Sequence, residues 1–346
     1  MTRHLHRRTV IRLGAALGGL GSSLLGLGHR HATPLVGWPE SGPSRVVLAD
    51  RAQGVLVMLD RSLIPKRIWL VPPPTHLALV EQGLAWVVRS NGREEEGSAT
   101  LMHVAISSRD VSESWSLSEA PLDLCADEAG RGWVLGGEAG KYSLGCFEPG
   151  RSEPKVHAVP ANAGACWLRG KRLLFLRGED LCWVELAKLG NGGPILEEGF
   201  ISVGGMQIFD LAVHRDGLLL LGDDLRTEGR IRRVVKRRNW GDEPLSVQQV
   251  GDKAERVLLR GAGAQLLTAS EAWVVHARSR QIELLPVPGE RGHLIATGGS
   301  GGIMALGDLE GRLLLATPTC LRLFDRAGRL LASQGGFDQL VALGVL

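Results

Sequence analysis

The apolar residues of this chain come in short runs rather than in helical stripes. From position 45 onward, runs rich in Val, Leu, Ile and Trp alternate with Gly, Asp and Asn. That is the pattern of short strands joined by tight turns. No stretch of this part of the chain keeps an apolar face at helical spacing over three turns. One outline recurs. "LDLCADEAGRGWVLGGEAGKYSLGCF" from Leu122 and "IMALGDLEGRLLLATPTCLRLFDRAG" from Ile303 both open on an apolar run and reach a glycine, Gly130 and Gly311. Both continue with a second run, a turn and a third. Equivalent first runs begin at Leu77, Ala165, Phe209, Val257 and, at the very end, Leu340.

Four short strands recurring about every 40–45 residues is the period of a propeller blade. The ends of the repeat are informative. "RVVLAD", "GVLVMLD" and "KRIWLV" supply strands two to four of a blade that has no first strand, and the terminal "LVALGVL" is a first strand with nothing after it. Pairing the two closes a ring and removes sheet edges that would otherwise invite association. The expectation is an all-β fold: a β-propeller over residues 45–346, with seven four-stranded blades and the C-terminal strand completing the N-terminal one. The least regular repeat is the fourth, where "KLGNGGPILEEGFISVGG" inserts a glycine-rich loop before the last strand. On period and strand pattern the chain resembles the NHL/YVTN-type β-propeller superfamily. The resemblance implies an architecture, not an activity.

The first 32 residues, "MTRHLHRRTVIRLGAALGGLGSSLLGLGHRHA", have a different character. A basic segment precedes an apolar stretch, Leu13 to Gly28, too short for an ordinary spanning helix. The pair Arg7-Arg8 before Thr9-Val10-Ile11-Arg12 resembles the twin-arginine pattern of bacterial export signals. That resemblance implies passage through the twin-arginine translocase and a periplasmic or extracellular location. Cleavage after Ala32 or near Gly26-Leu27-Gly28 would release the chain; an uncleaved leader would anchor it to the membrane. Residues 33–44 read as a linker.

Charge follows this division. The whole chain carries a formal +3, but the leader holds Arg3, Arg7, Arg8, Arg12 and Arg30 and no acid. The remainder is slightly acidic, so no specific nucleic-acid binding is expected.

The chemistry-bearing residues are dispersed. Outside the leader His76, His103, His157, His214, His276 and His293 stand singly, without metal-ligand spacing. Cys125, Cys146, Cys166, Cys182 and Cys320 form no CxxC pair. Cys125 and Cys146 fall on the first and third strands of one blade, as do Cys166 and Cys182, about 9.5 Å apart and too far to bridge. A Cys125–Cys166 bridge between neighbouring inner strands stays open, but the thiols read mostly as small core residues. No GxSxG, P-loop or HExxH motif is present. No metal site, cofactor or catalytic constellation is identified. Trp86 and Trp133 occupy equivalent positions and read as packing between blades.

Two groups remain as ligand candidates. His76, Asn162, Gln207, Arg256 and Asp338 would open inner strands at one mouth of the central channel; Asp50, Asn91 and Asp223 would lie in loops between second and third strands. The run "RIRRVVKRRNW" places Arg230, Arg232, Arg233, Lys236, Arg237 and Arg238 next to Trp240. Read as a third strand, it has no clean apolar face, so part of it is expected to leave the sheet as a loop. Its charge suits an anionic partner. Together these features suggest an exported binding or scaffolding propeller for a protein or small-molecule partner. The alternative is an exported lactonase- or lyase-like enzyme with a small substrate at the channel.

Overall fold

The computed structural model describes residues 46–60, 63–71, 73–80, 84–90, 99–105, 110–138, 140–169, 171–190, 192–214, 217–226, 231–238, 244–249, 256–259, 272–276, 281–285, 293–296, 304–309, 312–325 and 328–345. The leader, the linker, Asn91, Arg230 and Trp240 lie outside them. Among the described residues the chain forms seven separate sheets in sequence order, six of four strands and one of five. The innermost strands are Leu340–Val345, Pro74–Val80, Pro121–Ala126, Ala163–Arg169, Met206–His214, Arg256–Leu259 and Ala305–Leu309. Within each sheet the four strands of a repeat pair antiparallel. The first sheet is the exception in chain order. Its inner strand is Leu340–Val345, paired antiparallel with Val46–Asp50, which pairs in turn with Val55–Leu59.

Why the strands read as continuous apolar runs is clear from the packing. Val46–Asp50 and Val55–Leu59 are buried at every position, as a strand must be when both faces of its sheet are covered. Side chains alternate between two neighbours. Val46 and Leu48 join Leu314, Ala316, Leu321 and Leu323 of the seventh sheet. Val47 and Ala49 join Ala85, Val87 and Met102 of the second. The same arrangement continues from the second sheet to the fifth: Trp86 and Val88 pack with Val134 and Phe147, Trp133 and Leu144 with Leu173 and Phe175, and Leu174 and Leu181 with Leu218 and Leu220.

Polar contacts reinforce the junction of first and last strands. Asp50 is fully buried. Its carboxylate accepts the backbone N–H groups of Gln53 at 3.1 Å, Asp338 at 2.9 Å and Gln339 at 3.2 Å. The two ends of the chain are thus joined by a carboxylate as well as by a strand ladder. Trp86 is another junction. Its indole lies so close over Gly132 of the third sheet that a Cβ there would come within 2.6 Å of the ring. Its Nε1 donates to the Gly130 carbonyl at 3.0 Å. Here glycine is required by close approach.

The irregular fourth repeat has a structural role. Gly193–Pro194, in the glycine-rich insertion, pairs in parallel with His157 and Ala158 at the outer edge of the third sheet. Ile195 follows and is buried in the cluster around Trp133. The insertion straps the fourth sheet to the third, then returns to form the strand Gly199–Ser202. The basic run differs from expectation. Ile231–Arg238 is strand throughout, paired on one side with Gly217–Asp224 and on the other with Pro244–Gln249. Two features explain why it stays in the sheet. Val235 is buried in the core shared with the fourth sheet, and Arg233 forms an ion pair with Asp224 at 2.9 Å.

Candidate functional site

Three inner strands bring charge to one place. Asp123 lies in the inner strand of the third sheet, Arg169 in that of the fourth and Asp210 in that of the fifth. Arg169 Nη1 donates to Asp123 Oδ2 at 2.8 Å and Nη2 to Asp210 Oδ1 at 2.9 Å. Nη1 also reaches the Leu168 carbonyl at 2.8 Å, and Nε the Leu211 carbonyl at 3.2 Å. Four of the five N–H donors of a guanidinium are therefore engaged. Asp123 accepts in addition from the backbone N–H groups of Leu124 and Leu168. Burial alone would lower the Arg169 pKa, but Asp210 and Asp123 outweigh it and hold the proton more firmly than in free arginine. The group ties three successive sheets together.

Sequence reasoning looked for channel residues at the starts of inner strands and overlooked this triad. A signal was present: "LDLCA", "ACWLRG" and "FDLAVH" each carry one charged residue inside an otherwise apolar inner strand. A charge at such a position requires a partner.

The candidates at the strand starts are placed as follows. His76 is half-buried, its Nδ1 3.0 Å from Thr75 Oγ1. Asn162 and Gln207 are exposed. Asp338 is exposed and accepts from Gln53 Nε2 at 3.1 Å. Arg256 opens the inner strand of the sixth sheet. Asp50 and Asp223, read as loop residues, are instead buried at the ends of strands. Of the basic run, Arg233 is engaged within its own sheet, and Arg232, Lys236, Arg237 and Arg238 are placed by backbone on the same strand.

His103 and His157 are buried, each against a tryptophan: His103 is 4.6 Å from Trp86, and His157 is 6.0 Å from Trp133, between ring centroids. Nδ1 of His103 meets Ser112 Oγ at 2.8 Å. The Nε2 atoms of both rings are buried without a hydrogen-bond partner. All five cysteines are free, so the possible Cys125–Cys166 bridge is not formed. Among the described residues no group of three His, Cys, Asp or Glu side chains is placed to hold a metal ion, and no helix is long and apolar enough to cross a membrane.

Solved structures share this architecture. The β-propeller domain of Cps50 (Swd1) from Myceliophteria thermophila superposes with a TM-score of 0.53 at 11% identity, covering 82% of this chain and 95% of that one. The fold is a β-propeller. A protein from Lactobacillus plantarum matches this propeller with a TM-score of 0.62 at 13% identity, over 88% and 99% of the two chains. The dihydro-heme d1 dehydrogenase NirN, in complex with DHE, matches with 0.57 at 13% identity, over 90% and 78%. At such identities the likeness concerns the fold alone. No protein-family model matches the chain, and no curated protein does.

The buried histidines make one property of this propeller pH-dependent. Burial lowers the pKa of His103, opposed by Glu113, and lowers that of His157, helped by Lys155. Each ring is thus neutral in the folded state and takes up its proton more readily when unfolded. Their contribution to stability is complete above the ordinary histidine range near 6.5 and is lost as pH falls below it. Denaturant midpoints measured between pH 8 and pH 5 are expected to fall. In the variant combining His103→Phe and His157→Phe the slope over this interval should flatten; an unchanged slope assigns it to other groups.

Proposed function

We propose that this protein is an exported propeller of the NHL/YVTN type that acts as a binding or scaffolding module with an anionic partner. In this reading it has seven blades, the ring completed by the C-terminal strand, and it is delivered by the twin-arginine route. The observation that carries the functional part is the third strand of the fifth blade, where five of the eight residues Ile231–Arg238 are Arg or Lys. Within it, Arg233 forms an ion pair with Asp224 on the adjacent strand. A solvated strand gains nothing from such a density of like charge, because neighbouring cations repel. A partner carrying negative charge would relieve that repulsion.

The test is retention on an immobilised polyanion. Binding should weaken steeply with salt, since screening shortens to about 8 Å at physiological ionic strength. Combined reversal of Arg232, Lys236, Arg237 and Arg238 to Glu should abolish retention while leaving thermal unfolding nearly unchanged. Arg233 is left in place because it is already engaged with Asp224. Retention that survives the reversal would overturn the reading.

A second reading places a small ligand, or the substrate of a lactonase- or lyase-like activity, at the channel. It is favoured by His76, Gln207 and Arg256 lying within the first three residues of three inner strands, with Asn162 and Asp338 just ahead of two others. The starts of the inner strands come to the same mouth of a propeller.

A further inference from the structure

Two neighbouring blades repeat the same row of residues. In the third blade Cys125 and Cys146 lie opposite Trp133 from either side. In the fourth, Cys166 and Cys182 lie opposite Phe175. The thiols of each row are therefore separated by two strand spacings, about 9.5 Å. A disulfide needs Cα atoms within about 7 Å, so neither row can close without breaking its sheet. All four thiols border one apolar cluster between the two blades. Burial pushes the Cys146 thiol up to about 11 and the Cys166 thiol up to about 12, so the folded chain holds little thiolate.

The unfolded chain is in the opposite situation. Cys125 and Cys146 are about 20 residues apart and Cys166 and Cys182 about 16, short loops that close readily. In an oxidising medium each pair can form a disulfide, in competition with Cys146–Cys166, also about 20 residues apart: two thiols give up two protons and two electrons, and glutathione disulfide takes them to become two glutathione molecules. Those bonds would be incompatible with both blades.

We propose that this chain folds with its thiols reduced before it meets an oxidising compartment, and that the two rows then hold apart the cysteines that would otherwise pair. The proposal rests on the export reading in supplying the compartment, and it deepens it by giving the folded state a reason to precede transport. Refolding the denatured, reduced protein with and without glutathione disulfide is the test. With reductant the native yield should be high. With oxidant it should drop at least tenfold, and peptide mapping of the misfolded fraction should show Cys125–Cys146 and Cys166–Cys182 bonds. The variant Cys125→Ala with Cys166→Ala, which refolds under reductant as a control, should lose most of the oxidant sensitivity. Equal yields in both media, or a disulfide mapped in native protein, would overturn the proposal. The export reading is tested separately by Arg7→Lys with Arg8→Lys, expected to trap precursor inside the cell. Unchanged export would refute the twin-arginine route while the refolding result still decides the thiol claim.

Discussion

Deletion of residues 340–346 is expected to convert the protein into an aggregating or rapidly degraded chain. Among the described residues, the strand Leu340–Val345 covers the inner edge of Val46–Asp50. Its removal exposes a row of unpaired backbone groups on a strand whose every residue is buried, the template on which chains associate edge to edge. It also uncovers the neighbours of Leu340, itself fully buried, and of Val341 and Leu343. Each such side chain contributes roughly 1.5–3 kcal/mol by its burial, and together they approach the 5–15 kcal/mol by which a whole domain is typically stable. Solubility, protease resistance and thermal unfolding measure the outcome. A soluble truncation with an unchanged transition would show that the first blade does not depend on this strand. Asp50→Ala offers a milder version, because it removes the acceptor of three backbone N–H groups while leaving the strand in place.

Arg169→Met should give the second largest loss. Methionine fills a similar volume but leaves Asp123 and Asp210 facing each other across the fourth blade without their shared cation. Breaking a fully buried ion pair costs about 3–5 kcal/mol. The side chains here are 32%, 26% and 12% exposed for Arg169, Asp123 and Asp210, so solvent screening reduces the expected loss to about 2–3 kcal/mol. Denaturant unfolding of the single variant and of Arg169→Met combined with Asp123→Asn and Asp210→Asn separates the causes. Substantial recovery in the triple variant would identify the stranded carboxylates as the source of the loss. A single variant as stable as the parent would mean that the triad ties nothing together.

The two predictions differ in how far the sequence foreshadows them. The strand at the C-terminus is legible because it is a local pattern: "LVALGVL" has the form of an inner strand, and "RVVLAD" follows no inner strand of its own. The rows of cysteines are legible for the same reason, since strand order and pairing follow from short turns and strand period two. Trp86 and Trp133 read as packing residues, and the close approach of Trp86 to Gly132 shows why. The fourth repeat was less transparent. Its glycine-rich insertion has no strand pattern of its own, and the pairing of Gly193–Pro194 arises from an edge offered by the preceding blade. The basic run was misjudged in part because alternation predicts faces but not partners. Asp224, which neutralises Arg233, lies on the adjacent strand.

What the sequence alone determined is therefore the local grammar of this protein: strand-length apolar runs, their recurrence, the basic N-terminal segment and the dispersal of histidine and cysteine. Those properties depend on residues within one repeat, where backbone geometry and turn chemistry dominate. Tertiary structure decided which charges meet. Asp123, Arg169 and Asp210 belong to three different repeats. Such encounters are set by the packing of one blade on the next, a long-range arrangement that leaves only a single charged residue in each apolar strand as its trace.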